Sequence, residues 1–283
     1  MNRTNSKIDP FHVPQQPHFL KQIGIFFLML PISITSFLLF VLLALPFVLI
    51  YSSLSVSLKH IVSKWFSFWI LFTLRFRLRV DDQSNTIQHR IIVANHISII
   101  DSIAFFHYFG HVHMLAAAFT KDHPIFGILS RAIDPIFVDK SKKDHTLNKL
   151  KVSYKKSPFP TLIFSEGVFS NGTGLLKFQR GAFVLGEPIT PTLLQYTDPI
   201  PYWNRKESSF LTQLFRILSK IYTPVQLTIF PEYHPTNEEI EQPEIFAYNV
   251  RQFLADKGNI HMHDVDYKSS PNHAKDSKEN PKS

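Results

Sequence analysis

Between Lys21 and Lys59 the chain carries no charged residue. A helix crosses a bilayer core with about 20 apolar residues, so the run Gln22–Leu58 is more than long enough. Few buried helices of water-soluble proteins stay uncharged over such a length. The run is also too long for the apolar part of a signal peptide, and no small-residue cleavage site closes it. Pro31 and Pro46 interrupt it and leave two geometries open: one kinked span, or a re-entrant hairpin that dips in and returns. Residues 23–58 are therefore expected to be embedded in a membrane. The polar residues 1–22 before them read as a mobile lead-in. Residues 59–80 combine Trp65, Phe66, Phe68, Trp69 and Phe72 with Lys59, Lys64, Arg75, Arg77 and Arg79, a mixture that suits the headgroup zone. With more cations on this side than on the other, the positive-inside rule puts the rest of the chain in the cytosol if the run spans once.

Residues 81–258 read as a folded domain. Ile91–Ala94 and Thr161–Phe164 are short, wholly apolar runs of the kind that form buried strands. Pro135–Val138 is a third candidate strand, and Val225–Phe230 alternates like a half-buried fourth. Helical patterns lie between them, roughly over Asp101–Phe109, Lys142–Tyr154, Leu211–Ile221 and Pro243–Leu254. This alternation predicts an α/β fold with a mostly parallel sheet flanked by helices, preceded by the membrane-embedded helical segment. Residues 259–283, rich in His, Lys, Ser, Asn and Asp, read as a disordered tail. Cysteine is absent, which excludes a thiol nucleophile, a disulfide scaffold and any Cys-ligated metal. The net charge of +8 calls for an anionic partner, and the aromatic, Leu-rich composition favours membrane over nucleic acid.

Chemistry can come from few places. In Asn95-His96-Ile97-Ser98-Ile99-Ile100-Asp101 a histidine directly follows a candidate buried strand, where open α/β sheets bind their ligands. A histidine can take a proton near neutral pH, and a carboxylate on its other nitrogen fixes the tautomer. On a regular helix residues five apart point some 140° away from each other. His96 and Asp101 can therefore meet only if the histidine precedes the helix and the chain turns between them. His261 and Asp266 share the spacing but lie in the tail. A second motif, Phe164-Ser165-Glu166-Gly167-Val168-Phe169-Ser170-Asn171-Gly172, also follows a strand. Its glycines permit a tight loop whose N–H groups could face an anion, with Lys177 and Arg180 nearby as possible phosphate partners. Pro188-Ile189-Thr190-Pro191 is a weaker third element.

Together these blocks resemble the glycerolipid acyltransferase superfamily, whose first block reads Asn-His-x-x-x-x-Asp and whose third reads Phe-Pro-Glu-Gly-Thr. The resemblance runs over about residues 88–256 and is closest to the acyltransferases of lysophosphatidylcholine and lysophosphatidylethanolamine. That branch is suggested by Asn171-Gly172, by Leu175-Leu176-Lys177-Phe178 leading to Gly181-Ala182-Phe183, by Phe230-Pro231-Glu232-Tyr233-His234-Pro235, and by Ala247-Tyr248-Asn249-Val250-Arg251. The chain departs from the pattern in the third block. Ser165 stands where the family has Pro, Val168 where it has Thr, and Phe169 where phosphatidic-acid-forming members have Arg. In the second block the usual Asp-Arg is Asp139-Lys140, which keeps the charge but loses the bidentate fork.

The resemblance implies transfer of a fatty acyl group from acyl-CoA to the free hydroxyl of a lysophospholipid. His96 would be the general base and Asp101 its orienting group. Glu166 and Gly167 would hold the acceptor's glycerol and phosphate, while Lys140 and Lys121 supply positive charge. No cofactor is expected beyond acyl-CoA as co-substrate, no motif calls for a metal, and the partners are the two lipids and the bilayer, with no nucleic acid. The expected location is an integral position in an endomembrane such as the endoplasmic reticulum, catalytic domain toward the cytosol. Two alternatives stand beside this reading. One is a 1-acylglycerol-3-phosphate acyltransferase. The other is a catalytically inactive lipid-binding or scaffold protein, kept open by Ser165 and Val168. A hydrolase is disfavoured, since neither Gly-x-Ser-x-Gly nor His-Glu-x-x-His occurs.

Overall fold

Side chains alternate across a strand, and the four residues Ile91–Ala94 divide between two separate cores. Ile91 and Val93 pack with Ile163, Leu193, Phe246 and Val250, whereas Ile92 and Ala94 pack with Leu162, Leu194, Phe105 and Leu227. All four are buried, and a one-residue slip would exchange the two faces. The computed structural model describes residues 9–13, 19–85, 90–98, 100–117, 135–138, 150–152, 154–196, 202, 204, 207 and 209–271.

The described elements, in chain order, are helices α1 (Phe19–Ile50) and α2 (Val56–Thr73), strands β1 (Phe76–Asp82) and β2 (Ile91–Ala94), helix α3 (Asp101–Phe109), strands β3 (His113–Ala117), β4 (Ile136–Val138), β5 (Thr161–Phe164), β6 (Gly174–Leu175) and β7 (Thr190–Tyr196), helix α4 (Phe210–Leu218), strand β8 (Thr223–Ile229), helices α5 (Asn237–Glu241) and α6 (Pro243–Gly258), and strand β9 (His261–Met262). Seven strands form one sheet in the order β1-β8-β7-β2-β5-β3-β4. Neighbours run parallel except β7 and β8, which are antiparallel. Helices α3 and α4 cover one face, with the end of α2, and α6 covers the other. This is the α/β fold with a mostly parallel, helix-flanked sheet that the alternating pattern predicts.

Several boundaries move. The sheet begins before residue 81: Phe76–Asp82 is an edge strand paired with β8, where the sequence suggests a headgroup-zone segment. Arg77 and Arg79 alternate with Leu78 and Val80, and charged residues suit a strand whose outer edge must stay unpaired. The aromatic stretch before it is α2, whose Val62, Ser63, Ser67 and Leu71 are buried, while Ile61, Phe68 and Phe72 stay exposed. The lead-in is also partly fixed, because Phe11 and Val13 are buried. The tail does not start at Asn259. His261–Met262 pairs with β6, Val265 accepts from the Lys177 amide, and His263 is buried. These polar residues are held by backbone hydrogen bonds, which composition does not register. The helical pattern of Lys142–Tyr154 lies mostly outside the described residues, with 150–152 and 154–156 helical.

Helix α1 passes through Pro31 and Pro46 without ending. Its part Phe19–Leu39 is long and apolar enough to cross a membrane, judged by length and composition. One face of it is nonetheless packed on the folded body. Ser33 and Ser36 are buried, Phe26 lies 5.0 Å from Phe215 of α4, and the Arg75 guanidinium donates to Ser33 Oγ. The same guanidinium donates to the carbonyls of Lys220 and Leu218 at 2.9 and 2.7 Å. Phe27, Leu28, Phe37 and Leu38 remain exposed.

Behind this junction the Tyr51 hydroxyl bridges Ser63 Oγ at 2.6 Å and His111 Nδ1 at 2.8 Å. Burial, with added repulsion from His113, Lys59 and His60, pushes the His111 imidazole down to about 3. It therefore stays neutral in the fold at pH values where the unfolded chain takes up a proton. The resulting stability is present above the ordinary histidine range and is lost as pH falls. Between pH 7 and pH 5 the loss is about 2 kcal/mol. It should appear as a drop in the thermal unfolding midpoint that His111→Gln makes smaller.

Candidate active site

Strands β2 and β5 are parallel neighbours, and Ala94 pairs with Phe164. The segments that follow them, Asn95-His96 and Ser165-Glu166, thus leave the sheet side by side at its carboxyl edge. The Ser165 amide extends the ladder to the Ala94 carbonyl at 2.9 Å. On the other side the Asn95 amide group both donates to the Leu194 carbonyl and accepts from the Leu194 N–H, at 2.9 and 2.8 Å. Asn95 thereby replaces a backbone pairing and stops β2 from fraying just before His96.

The Asp101 amide donates to the Ser98 carbonyl at 3.0 Å, closing a turn from which α3 begins at Asp101. That turn satisfies the condition set by the spacing: His96 Nδ1 and Asp101 Oδ2 lie 3.0 Å apart. The same oxygen accepts from the Ile97 and Ser98 amides at 2.6 and 2.9 Å. Oδ1 accepts from the Tyr196 hydroxyl at 2.5 Å. Asp101 is fully buried and the His96 side chain is 16% exposed. A carboxylate so placed can only accept, so His96 Nδ1 carries hydrogen and Nε2 is the nitrogen left for an incoming group. The imidazole is stacked on Phe164 at 3.8 Å with planes 8° apart, and Phe169 leans on it at 4.2 Å. Two rings and a carboxylate fix its orientation.

Glu166 ties two segments of the site together. It is fully buried, and its two oxygens accept the backbone N–H groups of His96 and Leu176, each at 2.7 Å. Glu166 is a clamp that ties the second motif's loop to the base of His96. Burial pushes its carboxyl up to about 8, against the pull of those two donors and of Arg251. Gly167 has φ +71 and lets the loop turn immediately after the clamp; a Cβ there would stand 3.3 Å from Gln179 Cγ. Lys140 and Lys121 lie outside the described residues. Lys177 is paired with Asp264 at 2.5 Å and Arg180 with Glu244 at 3.0 Å, all of them substantially exposed, so in this arrangement neither cation is turned to the histidine.

The structure brings to the site two further residues to which sequence reasoning assigns no role. Tyr196 reaches Asp101 from the end of β7, the strand beside β2, and a tyrosine closing a strand gives no periodic signal. Arg251 of α6 donates to the carbonyls of Leu175 and His263 at 2.8 and 2.5 Å, fastening the far end of the same loop. Among the described residues no group of three His, Asp or Glu could hold a metal.

Residues 75–195 match the family model described as acyltransferase. Human lysophosphatidylcholine acyltransferase 1 is 29% identical over 184 residues, covering 62% of this chain and 34% of that protein. A lysophospholipid acyltransferase of Xenopus tropicalis is 34% identical over 140 residues, 47% of this chain and 27% of that protein. One of Arabidopsis thaliana is 27% identical over 184 residues, 60% and 44%. The chain thus spans between 27% and 44% of these relatives' length. Among solved structures, a 1-acyl-sn-glycerophosphate acyltransferase of Thermotoga maritima matches with a TM-score of 0.50 at 17% identity, over 86% of this chain and 96% of that one. At that identity the likeness is one of fold.

Proposed function

We propose, on the match of residues 75–195 to the acyltransferase family model, that the protein moves a fatty acyl group from acyl-CoA to the free hydroxyl of a lysophospholipid. The observation that carries this reading is the pair His96–Asp101, with Nδ1 committed to the carboxylate at 3.0 Å and Nε2 left as base. The acceptor's hydroxyl oxygen attacks the thioester carbonyl carbon while Nε2 takes its proton. The carbon–sulfur bond then breaks, and the departing CoA sulfur receives that proton from the imidazolium. No protein nucleophile is required, which suits a chain without cysteine. Lys140 and Lys121 supply positive charge toward the acceptor's phosphate. Gly167 shapes the loop beside the acceptor, and Glu166 acts through the backbone of His96.

The acceptor follows from charge matching. Phe169, not a cation, occupies the face of His96. A phosphodiester such as lysophosphatidylcholine carries one negative charge, whereas the phosphomonoester of lysophosphatidic acid approaches two near neutral pH and needs a forked cation. We expect kcat/KM for lysophosphatidylcholine or lysophosphatidylethanolamine to exceed that for lysophosphatidic acid by at least about tenfold. The reverse order would make the protein a phosphatidic-acid-forming enzyme, and no turnover of any acceptor would leave the inactive scaffold.

Both substrates are amphiphiles, and the exposed apolar side chains of α1, with Phe68 and Phe72 of α2 and Leu211 of α4, suit immersion in the membrane where those substrates dissolve. The protein is expected to stay in the pellet on carbonate extraction of cell membranes. Release into the supernatant would place it at the surface only. An endomembrane location with the catalytic domain toward the cytosol completes the reading.

A further inference from the structure

We propose that residues 9–13 are a working wall of the active site: a strap that seats Phe169 against His96, so that chain lying ahead of the first helix sets the rate of acyl transfer. The proposal rests on the acyl-transfer reading above. Five residues without regular structure would ordinarily be left in water, yet Phe11 and Val13 are 5% and 6% exposed. They are held from two sides. From the second motif's loop, Asn171 Nδ2 is shared between the carbonyls of Asp9 and His12 at 2.9 and 3.0 Å, and its backbone N–H donates to the Pro10 carbonyl at 2.8 Å. From the opposite side, Asn204 Nδ2 donates to the Phe11 carbonyl at 3.0 Å and Glu207 accepts from the Val13 amide at 2.9 Å.

This closure spans 162 positions of sequence at Asn171 and Asp9, and it ends next to the base. Phe11 and Val13 form an apolar cluster with Leu176 and Tyr202, and Phe169 packs against that cluster. The ring of Phe169 then lies 4.2 Å from the His96 imidazole, while the Ser170 amide donates to the His96 carbonyl at 2.9 Å. The loop between Glu166 and Leu176 is therefore clamped by Glu166 at its ends and by the strap at its middle. Without the strap, Phe169 loses the surface it leans on and His96 keeps one ring instead of two. Misplacing a reacting group by about 1 Å can cost on the order of 10²-fold, and that is the property the strap controls. Asn171 and residues 9–13 are positioning groups.

Because the chain contains no cysteine, Val13→Cys introduces one reporter thiol in the full-length protein in its native membranes. Maleimide labelling of Val13→Cys should be slow, and adding Asn171→Ala should speed it at least about tenfold, in line with a buried side chain becoming exposed. In the Asn171→Ala protein, kcat with lysophosphatidylcholine should fall ~10- to 100-fold while KM for acyl-CoA stays within about twofold, a split that general loosening of the fold would not produce. Asn204→Ala, which frees the strap from the other side, should move labelling and kcat in the same directions and guards against a variant that fails to fold. Release of the strap with kcat unchanged would make it scaffold only and overturn the proposal. So would fast labelling of Val13→Cys in the otherwise unaltered chain. Slow labelling in a protein that acylates no acceptor would instead overturn the acyl-transfer reading, and the proposal with it.

Discussion

Replacing His96 with alanine is expected to lower kcat for acyl transfer at least ~10²-fold, the scale of a lost general base, whereas His261→Ala should leave it unchanged. The two histidines stand at the same distance in sequence from an aspartate, so the comparison isolates geometry from spacing. His96 follows β2 and shares a hydrogen bond with a fully buried carboxylate. His261 lies exposed in β9, and its counterpart Asp266 accepts the Lys268 amide instead. Initial rates on purified membranes, normalised to protein, decide the matter. Full activity of the His96 variant would remove the proposed mechanism.

Asp101→Asn should be nearly as damaging to rate, on the order of 10²- to 10⁴-fold, while leaving the protein folded. Asn can keep an oxygen at the position that accepts from His96, Ile97 and Ser98, with its NH₂ toward Tyr196, whose hydroxyl can rotate to accept. The hydrogen-bond count at the buried site is then preserved. What vanishes is the negative charge that stabilises the imidazolium formed when Nε2 takes the acceptor's proton. Tyr196→Phe removes only the outer hydrogen bond and should cost no more than about 10²-fold, because one hydrogen bond to a charged group contributes about 1.5–3 kcal/mol. Thermal unfolding run beside the kinetics separates the two effects; an Asp101→Asn protein that unfolds at the wild-type temperature yet turns over normally would sink the role assigned to the carboxylate.

How far these features were legible depends on what kind of signal each one leaves. Ile91–Ala94, Thr161–Phe164 and Asp101–Phe109 form the elements the sequence predicts, at the predicted residues. Strands buried on both faces must be apolar throughout, and a helix must show its buried stripe. Strand β7 hides behind Pro191, which a central strand seldom contains, and β1 hides behind arginines that an edge tolerates. The pairing of His96 with Asp101 could be framed as a condition on the chain's path but not decided, since it depends on α3 beginning only at Asp101. Sequence marks Glu166, but only the fold shows that its two oxygens accept the His96 and Leu176 amides. Nothing in composition could reveal that residues 9–13 and 259–271 return to the loop after β5, because those contacts are made mostly by backbone groups every residue possesses.

The hydrogen bond between Arg75 and Ser33 bears on the order in which the molecule can be completed. Helix α1 leaves the ribosome before the groups that seat it: the guanidinium from residue 75, and then the carbonyls of Leu218 and Lys220 that hold that guanidinium in place. During synthesis the helix must wait, with Ser33 and Ser36 turned to whatever surrounds it. Ser36 meets the wait alone by bonding back to the Ile32 carbonyl at 2.8 Å, while the face around Ser33 closes only when the chain through Lys220 has been made. Helix α1 is thus made well before its final neighbours, and truncations that end before residue 218 should leave it formed but undocked.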